Sequence, residues 1–313
     1  MPCVRWPSSK ERSMNNEDQQ LKKKWAERDR VTRAITKDGL FRASVIHNPV
    51  AVRSAHERHG LDPLRTLMLG RALAGASLMA SFLKGEERVV IIAEGDGQVK
   101  TVYAEALQVG EVRGYAVNNK APEEGRSSPI GEGLLKVQRV LYGKQEPVTG
   151  IVELQRGDIA SDLSHYLTQS EQIPSTFMFD MSFDENDVPK QSVGLLMQAM
   201  PGARPEDIFK VYDTLDYLDR LTEFADKGYT PEDILRQVMP GDIDVLSSTP
   251  VDFFCRCSLD RFKSILLTIG YEEVSAMQEA GQNELSCQYC NEKYLLSEED
   301  FTELKEQLLA RRN

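Results

Sequence analysis

Four of the five cysteines in this 313-residue chain fall in two tight pairs near its end, Cys255-Arg256-Cys257 and Cys287-Gln288-Tyr289-Cys290, with 29 residues between the pairs. The body up to residue 254 contains only Cys3. That body must therefore fold by burying apolar surface, whereas the end of the chain can be held by thiol chemistry. A secreted disulfide scaffold spreads its cysteines through a short chain, so paired cysteines here point first to metal or redox chemistry. Four thiolates satisfy the tetrahedral, borderline-soft preference of Zn2+, and a two-plus-two arrangement is the common structural form. The second pair has the usual C-x-x-C knuckle spacing, but C-R-C is tighter than an ordinary zinc ribbon.

The segment from Cys255 to Asn313 is only 59 residues long, near the size at which an apolar core alone is marginal. Structural zinc contributes on the order of 10–16 kcal/mol at neutral pH, more than the whole stability of a small domain. Residues 255–313 are thus expected to fold with one zinc ion and to be largely unfolded without it. Between the pairs, Ser258 can cap a helix ending at Gly270, and a second helix ends at Gly281. Beyond them, Ser297 to Asp300 resembles a capping box for a last helix. Thiolate ligands are also oxidisable. Close spacing lets an attacked cysteine be resolved by its neighbour, giving Cys255–Cys257 and Cys287–Cys290 bridges. Either bridge would remove two ligands together and couple oxidation to unfolding. A permanent structural site is the other reading, and spacing leaves both open.

Upstream, residues 1–28 are polar and charged, and are expected to form a disordered tail or sequence upstream of a start at Met14, with Cys3 incidental. From residue 29 to 202 the pattern is that of an α+β domain. Leu40 to Ile46 reads as a strand, followed by two helices, the second with Asp62 as N-cap and Pro63 at its first position. A β-branched run, a Gly95-Asp96-Gly97 turn and a second run signal a hairpin. Further strands follow through residue 154, then a helix capped by Asp158. In the next hairpin Phe177, Phe179, Met181 and Phe183 alternate, as do Val193, Leu195, Met197 and Ala199, which reads as one strongly apolar face. Burial in the core is the first reading of that face, and promiscuous apolar binding the second.

Residues 203–254 read as an acidic helical linker. Ile208, Val211, Tyr212, Leu215, Leu218 and Leu221 form a narrow apolar stripe, with Asp207, Asp213, Asp216, Asp219, Glu223 and Asp226 around it. Thr230-Pro231 starts another helix and Met239-Pro240-Gly241 stops it, after which residues 241–254 read as a loop. Helices this short depend on docking against something else, so the linker is conditional. The Phe177–Met197 face and the 208–221 stripe are the candidate apolar binding surfaces of the chain.

A net charge of −11 and a pI near 5.1 argue against a general nucleic-acid binder, which needs a positive field to displace counterions. A zinc-knuckle factor acting in translation remains the alternative, with Arg256, Tyr289, Lys293 and Tyr294 as its contact surface. No apolar run is long enough to span a membrane and no signal-peptide core opens the chain, so a cytoplasmic protein is expected. Enzyme readings find little support. Four cysteines leave zinc no open position, His56-Glu57-Arg58-His59 misses the spacing of a zinc protease motif, and the second pair lies beside no βαβ pattern.

The C-x-C and C-x-x-C arrangement, joined to "DGLFRASVI", "GRALAGASLMASFLKGEERVVIIAEGDGQVKTVYAEA" and "GYAVNN", resembles the redox-regulated thirty-three-kilodalton chaperonin family over residues 29–313. The resemblance implies an ATP-independent holdase that is inactive when reduced and zinc-loaded. It implies that oxidation forms two disulfides, releases zinc, unfolds linker and zinc domain, favours a homodimer and exposes surface for unfolding client proteins. It assigns Cys255, Cys257, Cys287 and Cys290 as both zinc ligands and redox-active cysteines, and decides for a switch over a fixed staple. The roughly 28-residue N-terminal tail departs from the family pattern.

Overall fold

The computed structural model describes residues 28–120, 128–144, 146–218 and 220–312. Residues 1–27 of the tail expected over 1–28, Cys3 with them, and Asp219 of the acidic set lie outside them. The period-2 segments form two sheets, antiparallel except where the short edge strand β11 joins one of them in parallel. One is ordered β10-β1-β2-β9-β8, from β1 (Arg30–Thr36), β2 (Phe41–His47), β8 (Ser175–Phe183), β9 (Pro189–Ala199) and β10 (Ile243–Pro250). The other is ordered β11-β5-β4-β3-β6-β7, from β3 (Arg88–Gly95), β4 (Val99–Leu107), β5 (Glu111–Asn118), β6 (Gly133–Val140), β7 (Val148–Glu153) and β11 (Asp252–Phe253).

Helix α1 (Pro49–His59) stops at Gly60 in the left-handed region, and its His56 ring simply bonds the Thr66 hydroxyl at 2.9 Å. Helix α2 (Pro63–Ala80) starts as its sequence demands, with Asp62 accepting from Arg65 N at 2.8 Å and Pro63 in the first turn. It is apolar nearly all round because it runs between the two sheets, touching β3, β4 and β5 on one side and β2, β8 and β9 on the other. Its small residues permit that closeness. A Cβ at Gly70 would collide with the Met181 side chain, and one at Gly75 would come within 2.6 Å of Leu163. Leu163 lies on α3 (Ala160–Gln169), which covers β8. Asp158 caps that helix by accepting from Ser161 N at 2.8 Å, while the buried Asp162 gathers the backbone N–H groups of residues 155–159.

Two readings of the sequence are corrected. The β8–β9 hairpin does not have one apolar face. Phe177 pairs with Leu196 and faces α2, whereas Val193, Leu195, Met197 and Ala199 point to the opposite side, into a second core. The opposite pairing parity sets the two stripes on opposite sides, and β9, hydrogen-bonded between β2 and β8, is buried on both faces. The stretch 241–254 is not a loop either. Ile243–Pro250 completes the five-stranded sheet beside β1, and Asp252–Phe253 joins β5 in parallel. Its polar SSTP run hid the strand, since an edge strand needs no apolar alternation once its backbone is paired.

The second core is covered by α4 (Pro205–Asp216), α5 (Leu221–Asp226) and α6 (Pro231–Val238). The stripe expected to run unbroken from 208 to 221 is interrupted, with Leu221 opening a new helix. Val211, Leu215, Leu221, Ile234 and Leu235 insert against Ala43, Val45, Leu195 and Met197 of the sheet. Polar ties fasten the same helices: Asp180 accepts from Thr222 N and Oγ1 at 3.1 and 2.6 Å, and Asp226 accepts from Gln191 at 3.1 Å. Among the described residues no helix is long and apolar enough to cross a membrane.

Asp29, buried at the start of β1, accepts from Ala51 N at 2.7 Å and Val50 N at 3.2 Å. Burial outweighs these bonds, with help from the Asp252 charge, and pushes its carboxyl to about 7. The native state thus keeps a proton that the unfolded chain loses near pH 4, so this stabilisation is full below about pH 4 and lost as pH rises through about 7. Urea titrations should show the wild-type midpoint falling between pH 5 and 7 and that part of the slope missing in Asp29→Asn. Parallel pH profiles for the two proteins would refute the assignment.

Candidate metal centre

The first cysteine pair is delivered by the sheet. β11 pairs with β5 in the register Asp252↔Glu111 and Phe253↔Val112, and Phe254 N extends the pairing to Val112 O at 2.9 Å. Cys255 and Cys257 therefore leave the edge of the six-stranded sheet in fixed positions. Ser258 then accepts from Arg261 N to cap α7 (Leu259–Ile269), which leads into α8 (Tyr271–Glu279). The second pair lies on the turn of a small hairpin, β12 (Glu284–Ser286) and β13 (Lys293–Leu295). Cys287 N donates to Glu292 O at 2.8 Å and Asn291 N to Cys287 O at 2.7 Å, with Asn291 in the left-handed region at φ 57°. The Ser297–Asp300 capping box forms as expected and opens α9 (Glu298–Arg312).

All four Sγ atoms lie within 4.8 Å of one another and none is in a disulfide. The contacts across the pairs are 3.8 Å for Cys255–Cys287 and 3.4 Å for Cys257–Cys290. Four thiolates about 2.3 Å from a tetrahedral zinc stand about 3.8 Å apart, so the cluster has the size and donor chemistry of such a site. It can hold a metal ion. Burial pushes the thiols of Cys255 and Cys290 up, partly opposed at Cys255 by Arg113. At Cys257 burial is outweighed by hydrogen bonding, led by Tyr294, whose hydroxyl lies 3.2 Å from Sγ, and the thiol falls below its usual range.

The cluster is seated against the core. Arg113 on β5 donates to Cys255 Sγ at 3.5 Å and, through Nε and Nη2, to Glu105 Oε2 at 2.9 and 2.7 Å. Glu105 is 2% exposed and is also faced by Arg88 at 3.4 Å. Arg256 forks onto Glu111 at 2.7 and 2.9 Å, and Asn291 donates to Arg58 O at 2.6 Å. Tyr289, between the second pair, rests on Tyr103 and Tyr115. These core residues were not read as part of the site. Alternation places Tyr103, Glu105, Arg113 and Tyr115 on one face of the β4–β5 pair, but a polar sheet face reads as solvated until something docks on it.

The other candidate residues lie away from the thiols. Phe177 and Phe179 pack in the first core with ring centroids 5.7 Å apart, Met181 is buried over α2, and Phe183 is half-buried. Val211 and Leu215 are buried in the second core, with Ile208 and Leu218 partly buried beside them. On α4 it is Phe209, and just past its end Tyr217, 72% and 84% exposed, that face water.

Comparison with known proteins places this arrangement. Residues 29–297 match the family model described as Hsp33 protein. The 33 kDa chaperonin of Desulforamulus reducens is 37% identical over 281 residues, covering 87% of this chain and 95% of its own. That of Bacillus subtilis is 33% identical over 288 residues, covering 89% and 99%. The crystal structure of the 33 kDa chaperonin (heat shock protein 33 homolog) from Thermotoga maritima superposes with a TM-score of 0.81 at 28% identity, covering 91% of this chain and all of that one.

Proposed function

The chain belongs to the Hsp33 family of chaperones, and on that premise we propose that it is a redox-switched, ATP-independent holdase of the cytoplasm rather than an enzyme. The observation that carries the reading is the single cluster of four thiols at the junction between core and C-terminal module. Cys255, Cys257, Cys287 and Cys290 would hold one Zn2+ in the reduced state, which supplies the cross-link that the small third core of Leu266, Val274, Leu296, Phe301, Leu304 and Leu308 lacks. In the oxidised state the bridges would be Cys255–Cys257 and Cys287–Cys290. Each bridge gives two electrons to one peroxide, which takes up two protons and leaves as water. All four sulfurs lie within 4.8 Å of one another, with contacts of 3.8 and 3.4 Å running across the pairs, so sequence proximity once the module opens, rather than the folded geometry, would select these partners.

The division proposed is a chaperone core over 29–202, a metastable linker over 203–254 and a zinc-binding switch over 255–313. With the module gone, α4–α6 would undock from the five-stranded sheet and expose Ile208, Val211, Leu215 and Leu218 to clients. Phe177, Phe179, Met181 and Phe183 would become available only on a deeper opening of the core. A homodimer would form on activation, with no nucleic acid or membrane partner.

Purified reduced protein should carry one zinc per chain and leave a thermally unfolding client to aggregate. Peroxide with mild heat should release the zinc and bring client protection with it. Zinc loss without any suppression of aggregation would sink the reading.

A further inference from the structure

The outer face of the six-stranded sheet carries an aromatic seat that a water-facing surface does not need. Tyr103 and Tyr115 are direct cross-strand partners, and their rings stack with centroids 5.3 Å apart and 4° between planes. The Tyr289 ring lies against both, at 5.1 and 6.1 Å. The Arg113 guanidinium, its plane preset by Glu105, covers that ring at 4.3 Å. The Tyr289 carbonyl accepts from Gly114 N at 3.3 Å and lies 3.3 Å from His59 Nε2. A single side chain of the switch module is thus gripped by two rings and a cation, and its backbone by the core strand.

This is the chemistry of a short peptide site with one aromatic anchor. Tyrosines present large rigid area at little entropic cost and accept a further ring in tilted geometry whatever the sequence around it. Arginine adds a cation–π contact that is equally tolerant. We propose that Tyr103, Tyr115 and Arg113 form a binding site for exposed aromatic side chains of unfolding polypeptides, and that Tyr289 is its built-in occupant in the closed form. The inference rests on the holdase reading above. Tyr289 sits within the C-Q-Y-C turn, so its place depends on that turn. While the turn holds, the tether gives Tyr289 an effective concentration far above that of any client. When the turn is lost, the competitor leaves and the seat opens, at the same moment that clients need it.

Fluorescence anisotropy of labelled reduced, carboxymethylated α-lactalbumin, a permanently unfolded soluble chain, tests this on the full-length protein in both redox states. Oxidised Tyr103→Ser/Tyr115→Ser, zinc-free like oxidised wild type and with its core still melting cooperatively, should bind it at least fivefold more weakly than oxidised wild type. Reduced, zinc-loaded Tyr289→Ser should bind it where reduced wild type does not, at one zinc per chain. The single Tyr115→Ser variant serves if the double one does not fold. A loss smaller than fivefold, or silence of reduced Tyr289→Ser, overturns the site while leaving the holdase intact. An oxidised wild type that binds nothing overturns the holdase reading itself, and the site with it.

Discussion

Cys287→Ser/Cys290→Ser is expected to bind no zinc and to lose the fold of residues 255–313 at every temperature. The two substitutions remove half the thiolates and the side of the cluster on which both sulfurs are buried. Zinc in such sites contributes on the order of 10–16 kcal/mol, against a stability of about 5–15 kcal/mol for a typical domain. The third core consists of six buried side chains under three helices and a two-stranded hairpin, too little to replace the metal. Metal analysis, limited proteolysis and amide exchange would report the loss. Protection should vanish in α7–α9 and persist in α2 and the central strands of both sheets. A variant that still carries one zinc and melts as a cooperative C-terminal unit would show that the four thiols are not the ligand set.

The second large effect is expected from Ile234→Ala. Ile234 is fully buried between α6 and the five-stranded sheet, among Leu235, Val238 and Met239. Truncating a buried isoleucine costs about 2–5 kcal/mol through lost transfer energy and the cavity left behind. An eight-residue helix has almost no stability of its own, so its docking is where that loss is felt. Reduced, zinc-loaded Ile234→Ala should therefore show fast amide exchange across α4–α6 and partial client protection without oxidant. Slow exchange at wild-type rates, with no protection, would mean that these helices are not the conditional element. Charge changes at Arg204–Asp207 or Arg236–Glu232 on the exposed side should do little, since screened surface pairs of this kind contribute well under about 1 kcal/mol.

Both expectations lean on features legible at different depths. The strands from Phe41 to Glu153, the caps at Asp62, Ser258 and Ser297, and the four thiol ligand candidates could be read directly, whereas β1 (Arg30–Thr36) was missed. Each rests on residues a few positions apart: an alternation, a side-chain oxygen three residues before an N–H, two cysteines two or three apart. The hairpin at 175–199 shows where that reading stops. Alternation said which residues of β8 share a face and which of β9 do, but not that pairing Phe177 with Leu196 puts the two stripes on opposite sides. A register shift of one residue would have reversed the result, and nothing local to either strand expresses it.

The same limit governed Ile243–Pro250 and the seat under Tyr289. A polar strand with one edge paired has no apolar signature, and an aromatic pair on an outer sheet face looks solvated until a module docks on it. Composition and spacing established that the chain ends in a small four-thiol unit that its own core cannot sustain. Where that unit rests, on Arg113 and the stacked tyrosines with Cys255 led in by β11, follows from contacts between residues separated by well over a hundred positions. Short-range chemistry is written in the order of the residues. The meeting of distant faces is settled only by the total burial and hydrogen bonding of the folded chain.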